Sequence, residues 1–444
     1  MNTSQDQDYV QEDIFEEDEY LFEEDDSDRS VDIRNAIHEE LLDAINLMDE
    51  MPGEDKVREI VTELVEDYPD VILESEQKRY INDFIDDILK LGPLESYLRD
   101  PEVTEIMVNG ANLSYVERNG ELEEVDMHWR SEEHVKAIAD RILSPIKRSI
   151  SAASPIADGR LTDPPARVHI ITAPCSILGT VITIRKFRDM KSAEDLLASE
   201  TATPEMFEFL RASVQSKRNI LVSGRNNSGK TTMLNVATSF IPANERIITI
   251  EDAAELKLGH LHVVPLESKP PNREGAGAVE IKELVKSTLR MRPDRVIVGE
   301  VRGEEANDML QAMNTGHDGS MTTIHSNDAA GALDRVLSAC MRTSERIDAD
   351  NVRYQIASAF ELIVHMDYLR GRRVISEISQ VDGISADGRS FSLTPIFRFE
   401  HTGYGANGAE GWFETTGVAP SFIGEFDKNG IEVDLSWIGS GGKL

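Results

Sequence analysis

The spacing of hydrophobic residues changes three times along this chain, and the changes mark its regions. From Val31 to Asp100 apolar residues recur at helical intervals. Ile33, Ile37, Leu41, Ile45 and Met48 share one face of "IRNAIHEELLDAINLMDEM". Pro52–Gly53 breaks that run. Val57, Ile60, Val61, Leu64 and Val65 form a second helical face, and "YINDFIDDILKLGPL" a third. This predicts a helical region over 31–100. From Val103 to Lys186 the period shifts towards two. "EIMVNG", "LSYVERNGELEEV", "ARVHIITAP" and "GTVITIRKF" predict strands, with Asn119–Gly120 as a hairpin turn. "SEEHVKAIADRILSPI" inserts a helix, with Ser131 as its N-cap. The stretch 101–188 thus reads as an α+β domain, and 189–203 as a linker.

From 204 to 400 strands alternate with helices, which predicts a parallel α/β sheet. Asn219–Ser223 is a short buried strand and Lys230–Phe240 a helix. Further strands are expected in "RIITIEDAAEL", "HVVPLE", "RVIVGEVRG" and "SMTTIHSN". The helices between and after them are "VEIKELVKSTLRMRP", "EEANDMLQAMNTG" and "DAAGALDRVLSACMR". Beyond about residue 361 the pattern returns to β. Residues 401–444 read as a Gly-rich C-terminal tail.

Charge adds a feature that periodicity does not show. The net charge of the 444 residues is −36. Residues 1–50 carry 19 acids and 2 bases, and residues 51–100 carry 14 acids and 6 bases. The acidity is therefore concentrated at the N-terminus. Residues 1–30, with "EEDEYLFEEDDSD", read as an acidic disordered tail, or as a docking peptide whose aromatic residues enter a basic groove. So acidic a chain is a poor candidate for nucleic-acid binding, which depends on neutralised phosphates. Cys175 and Cys340 form no CxxC pair and give neither a disulfide framework nor a zinc site, as expected in a reducing compartment. No apolar run approaches the roughly 18–20 residues that cross a bilayer. The N-terminus lacks the basic and apolar regions of a signal peptide. The expected location is cytoplasmic, with any membrane contact made through partners.

Four stretches carry chemistry. "GRNNSGKTT" runs from Gly224 to Thr232 and matches G-x-x-x-x-G-K-[ST] between a buried strand and a helix. The expected phosphate-binding set is Gly224, Arg225, Asn226, Asn227, Ser228, Gly229, Lys230, Thr231 and Thr232. Backbone amides and the helix N-terminus would cradle phosphates. Lys230 would reach the β- and γ-phosphates, and Thr231 would ligate Mg²⁺. Arg225, Asn226 and Asn227 stand where small residues are usual, and Asn227 is expected to take a left-handed conformation in place of glycine. Glu251 closes the strand "IITIE", Glu300 follows the apolar strand "VIV", and His325 closes "MTTIH". Carboxylates at such strand ends lie where α/β proteins bind ligands. Glu300 is expected to hold Mg²⁺ through water or to accept a proton from the attacking water. Which of Glu251 and Glu300 is the base stays open. A lone histidine is most often a core residue. His325, however, shares its expected sheet edge with both glutamates, which favours sensing of a γ-phosphate or water. Arg295 is expected to be a structural ion-pair partner, and His317 is a weaker site candidate.

Taken in order, "SGKTTMLN", "IEDAAEL", "RMRPDRVIVGEVRG", "DMLQAMNTGHDGSMTTIHSN" and "QIASAFELIV" resemble the type II/IV secretion ATPases. With "LGPLESYLRDPEVTEIMVNG" and "ITIRKF", the resemblance is closest to the CpaF-like branch serving Tad (Flp) pilus assembly, over roughly residues 80–400. It implies an α/β fold: a RecA-like P-loop ATPase domain preceded by an α+β N-terminal domain and a helical, acidic N-terminal extension. It also implies ATP and Mg²⁺ as cofactors, a homo-hexameric ring, and a platform protein at the cytoplasmic face of a membrane as partner. Arginines of the N-terminal domain would reach the phosphates, and the matching positions are Arg160, Arg167 and Arg185. The implied function is a hexameric ATP-hydrolysing motor for pilin-like subunits. The alternatives are a nucleotide-binding scaffold with little hydrolysis and a conjugation-type ATPase.

Overall fold

The computed structural model describes residues 23–48, 52–67, 74–187, 191–271, 276–342, 348–405 and 408–444. Most of the acidic stretch 1–30 therefore lies outside the described residues. The chain divides into two compact units, Met1–Arg188 and Asp189–Leu444.

The first unit opens with three helices, α1 (Glu23–Asn46), α2 (Glu54–Glu66) and α3 (Glu74–Leu89). Their expected apolar faces meet: Ile37, Leu41, Val57, Val61, Val65, Phe84 and Ile85 form one buried cluster. A short α4 (Leu94–Arg99) leads into β1 (Val103–Asn109), β2 (Ser114–Arg118) and β3 (Glu121–Val125). Then come α5 (Glu132–Leu143), β4 (Ile156–Thr162), β5 (Pro165–Ile171) and β6 (Val181–Lys186). The strands pair antiparallel in the order β3-β2-β1-β6-β5-β4. Asn119 and Gly120 turn the β2–β3 hairpin with φ of 54° and 87°, the left-handed pair such a turn needs. Ser131 Oγ accepts from the His134 amide at 3.3 Å and caps α5. Strand β4 escapes the sequence pattern because Asp158, Gly159 and Arg160 interrupt its apolar alternation. Asp87 on α3 ties the helical region to α5: it lies 2.6 Å from His134 Nε2 and accepts an ion pair from Arg130 at 3.0 Å.

The second unit begins with α6 (Ala193–Ala198) and α7 (Pro204–Gln215). The stretch read as a linker is thus partly a helix, capped reciprocally by Ser192 and Asp195, with Leu196 buried in the core. The sheet and its helices follow in chain order: β7 (Ile220–Gly224), α8 (Lys230–Ser239), β8 (Ile247–Glu251), β9 (Val263–Glu267), α9 (Ile281–Thr288), β10 (Arg295–Val298), α10 (Glu305–Asn314), β11 (Met321–His325), α11 (Ala330–Cys340) and α12 (Ala349–Ala359). The chain then runs through β12 (Leu362–Leu369), β13 (Arg372–Ile384), β14 (Phe391–Gly405), β15 (Gly408–Thr415), α13 (Gly424–Lys428) and β16 (Gly442–Lys443).

Strands β12-β7-β11-β10-β8-β9 are mutually parallel, and β13 to β16 extend the sheet antiparallel from β12. Alternate residues of the central strands enter opposite cores. Ile220, Val222 and Ile297 pack with α7 and α8 on one face. Leu221, Val296, Val298 and Ile324 pack with α9 to α12 on the other. Strands buried on both faces account for the continuous apolar runs.

The Gly-rich tail expected at 401–444 is corrected by the structure. Strands β14 and β15 continue through residue 415, and Phe422, Phe426 and Trp437 pack around Phe209 of α7. Glycine density misled the reading because several of these glycines, Gly403, Gly405, Gly408 and Gly411 among them, lie within paired strands. Arg295 is an ion-pair partner, as expected. It is 0% exposed, donates to Glu245 Oε2 at 2.6 Å and reaches the Gly319 carbonyl at 3.3 Å. Gly319 has φ +78°, and an added Cβ there would lie 1.8 Å from the guanidinium. Removing the carboxylate leaves a buried, unpaired cation. Glu245→Ala is therefore expected to lower stability by about 3–5 kcal/mol in urea denaturation. A loss below about 1 kcal/mol would show that the pair is not a stabilising element.

Candidate functional site

The loop after β7 has the shape its sequence predicts. Gly224 ends the strand at φ +153°, and an added Cβ would stand 2.4 Å from the Met366 carbonyl and 2.5 Å from Ser228 Oγ. Asn227 takes φ +60°, the left-handed conformation expected of it, and Gly229 takes φ +99° at the head of α8. Arg225 and Asn226 are exposed, whereas Ser228 is buried with an Oγ that has no hydrogen-bond partner among the described residues. A buried orphan hydroxyl beside a glycine-shaped turn and a helix N-terminus fits an anion with several oxygens. Thr231 and Thr232 follow on the first turn of α8, both half-buried.

Parallel pairing brings the expected side chains to one edge. β7 lies between β11 and β12, and β10 lies between β11 and β8. The ends of β7, β11, β10 and β8 are thus neighbours at the C-terminal edge, where open α/β sheets place their ligands. Lys230 Nζ donates to the Arg225 carbonyl at 2.9 Å and contacts His325 Nδ1 at 3.1 Å. His325 Nε2 lies 2.8 Å from Glu300 Oε1. Arg302 donates to Glu300 Oε2 at 2.7 Å and to Asp252 Oδ2 at 3.2 Å. The Lys230 ammonium can only donate to Nδ1, which puts the imidazole proton on Nε2, the ring nitrogen near the carboxylate. Burial lowers the His325 pKa, helped by the Lys230 charge, so the ring is neutral near pH 7. Burial also lowers Lys230, to about 8. The ammonium sits in a desolvated position that an arriving phosphate would favour.

Glu251, at the end of β8, is held by backbone amides rather than by the charged side chains of the run. It is buried, and its Oε1 accepts from the amides of Glu255 and Leu256 at 3.1 Å each. It packs against Gly299, where an added Cβ would stand 2.9 Å from Glu251 Cγ. Burial raises its pKa to about 7, against those amide bonds. His317 binds the Ala312 carbonyl at the end of α10, before β11 begins, and so sits at the opposite end of that strand from His325. Among the described residues no group of three or more His, Cys, Asp or Glu could hold a metal ion. A divalent ion would here depend on phosphate oxygens, Thr231 and a water-bridged Glu300.

Arg160, Arg167 and Arg185 belong to the first unit. Register aligns them side by side on β4, β5 and β6, with Glu105 of β1 next in the row. All three are exposed, and Arg185 Nε lies 3.5 Å from Glu105 Oε1. Asp252, a strand-end carboxylate beside Glu251 in the sequence, and Arg302, readable there as an ion-pair partner, form an ion pair with each other. Arg373 of β13, which donates to Asn227, had no local signal in the sequence.

Glu251 yields a pH prediction. Its folded pKa of about 7 lies above its ordinary 4.5. The bound proton therefore adds stability below 4.5, and that contribution is lost as pH rises through 7. Glu251→Gln is neutral at every pH. Between pH 5.5 and 8 the wild type should lose about 2 kcal/mol relative to this variant, read by denaturant titration. Parallel profiles for the two proteins would mean that the carboxyl titrates normally.

Comparison with known proteins places these features in a family. The family model described as type II/IV secretion system protein matches residues 87–377. A Mycobacterium tuberculosis protein named for conjugal transfer is 32% identical over 312 residues, covering 68% of this chain and 87% of that protein. Type IV secretion system protein PtlH of Bordetella pertussis is 31% identical over 342 residues, covering 67% of this chain and 95% of its own length. The crystal structure of the pilus retraction motor PilT with bound ADP shares the fold at TM-score 0.50 and 18% identity, over 67% of this chain and 84% of that one. A match across most of the chain, ordered around the loop and strand ends described above, establishes that the protein belongs to the type II/IV secretion system protein family.

Proposed function

We propose that this protein is an ATP-hydrolysing motor of a secretion or pilus-assembly machine, working as a homo-hexameric ring with a RecA-like catalytic domain. The observation that carries the reading is the continuous run Lys230–His325–Glu300–Arg302–Asp252 beside a loop shaped for phosphate. Neutral His325 spans the lysine that would hold the β- and γ-phosphates and the carboxylate that would orient the attacking water. A γ-phosphate drawing Lys230 away from His325 would leave Nδ1 without its donor and free the ring to shift against Glu300. That couples nucleotide state to the strand end. Mg²⁺, held by Thr231 and by Glu300 through water, would neutralise charge on the phosphates. The arginine row Arg160, Arg167 and Arg185 is the proposed source of further positive charge, supplied within a subunit or from a neighbour in the ring. An arginine in that role is worth roughly 10³–10⁵ in rate.

The CpaF-like motifs favour pilin-like subunits as cargo and a membrane platform protein as partner, with the ring at the cytoplasmic face. A second reading, a motor for DNA transfer, is supported by the relative named for conjugal transfer. The net charge of −36 argues against direct DNA contact by this chain.

Steady-state hydrolysis of Mg²⁺-ATP should rise in specific activity with protein concentration as subunits assemble. Lys230→Ala should abolish it. Glu300→Gln should still bind ATP while turnover falls at least 100-fold. Wild-type turnover no greater than that of Lys230→Ala, despite tight binding, would replace the motor with a nucleotide-binding scaffold.

A further inference from the structure

The shape that the loop sequence predicts still carries a local backbone cost at Asn227. A left-handed φ is natural for glycine and unfavourable for a residue with a side chain, though least so for Asn. Asn227 holds φ +60° in the middle of the phosphate loop. Arg373, on β13, meets it twice. Its Nε donates to the Asn227 carbonyl at 3.0 Å, and its Nη2 donates to Asn227 Oδ1 at 3.0 Å. The guanidinium itself is held: it lies 4.7 Å from the centre of the Tyr368 ring, and Tyr368 is its direct cross-strand partner on β12. The same hairpin closes on the rest of the loop. An added Cβ at Gly229 would stand 3.4 Å from Arg373 Cδ and 3.6 Å from Met366 Cε, and one at Gly224 would meet the Met366 carbonyl.

We propose that Arg373 is a positioning residue for the phosphate site, clamping Asn227 in its left-handed form so that the Arg225–Asn227 loop keeps its shape before nucleotide arrives. Two charge-assisted bonds to one residue fix both its backbone and its side chain. Arg373 acts through Asn227 and is assigned no contact with nucleotide. A lysine could supply the charge but not the two-pronged geometry. The inference deepens the nucleotide-site reading and rests on it for its functional consequence, while its structural core concerns the nucleotide-free loop.

The test is a double-mutant cycle on the full chain, combining Arg373→Ala with Asn227→Gly. It is read by Mg²⁺-ATP affinity and by hydrogen exchange of the 226–230 amides without nucleotide. Unfolding temperature serves as the control for global damage. In the wild-type background Arg373→Ala should weaken ATP binding about tenfold and speed exchange of the loop amides, with little change in unfolding temperature. Arg373→Lys should recover only part of the loss. In the Asn227→Gly background, whatever that change does by itself, removing Arg373 should cost less than about threefold, because glycine needs no clamp. An equal loss in both backgrounds would overturn the proposal, since Arg373 would then act on something other than Asn227. So would unchanged exchange and affinity in Arg373→Ala. If the wild type binds no ATP yet exchange still follows the cycle, the clamp stands and the nucleotide reading falls.

Discussion

Strand β7 must find parallel partners on both sides, and the site follows from that pairing. Its residues pair with β11 from Ile220↔Met321 to Gly224↔His325 and with β12 from Ile220↔Leu362 to Gly224↔Met366. The pairing sets His325 beside the start of the loop and Met366 behind it. It also leaves the loop one choice of exit, over the C-terminal edge and into α8. Both faces of the sheet are buried, so a shift of one residue would exchange the side chains of the two cores. The apolar residues that enforce register therefore also enforce the distances among Lys230, His325 and Glu300.

The two ends of this sheet are built differently. At the N-terminal end of β10, Arg295 is fully buried, neutralised by Glu245 and bonded to the Gly319 carbonyl. At the C-terminal end, a buried Lys230 joins the more exposed His325, Glu300, Arg302 and Asp252 in a chain that a phosphate could enter. A charge sealed in the interior must be paired where it stands, which makes it a fixed part of the frame. A charge at the edge can exchange one partner for another, which suits a site that must respond to a ligand.

Antiparallel pairing does comparable work in the first unit. Arg160, Arg167 and Arg185 are separated in sequence, yet register makes them direct cross-strand neighbours. Like charges placed opposite one another on a sheet are unfavourable. Arg185 is partly compensated by Glu105, and Arg160 lies 5.4 Å from the centre of the Phe187 ring.

Local chemistry by itself determined much of this protein. The helical spacing of Ile37, Leu41, Val57, Val61 and Val65, the Asn119–Gly120 turn, the Ser131 cap and the loop from Gly224 to Thr231 all act over a few residues. Their outcomes were legible for that reason. The expected left-handed form of Asn227 belongs with them, because φ is a property of one residue. Tertiary structure decided what depends on partners distant in the chain. It placed Arg373 on Asn227, Arg302 between Glu300 and Asp252, and Glu251 onto its own backbone amides rather than into the Lys230–His325 run. It also made a packed segment of the Gly-rich C-terminus, because Phe422, Phe426 and Trp437 find Phe209 more than two hundred residues away. A pattern of spacing records which face of an element is apolar. Which neighbour that face meets, and which charged tip reaches a loop, is fixed only when strand register and both buried cores form together.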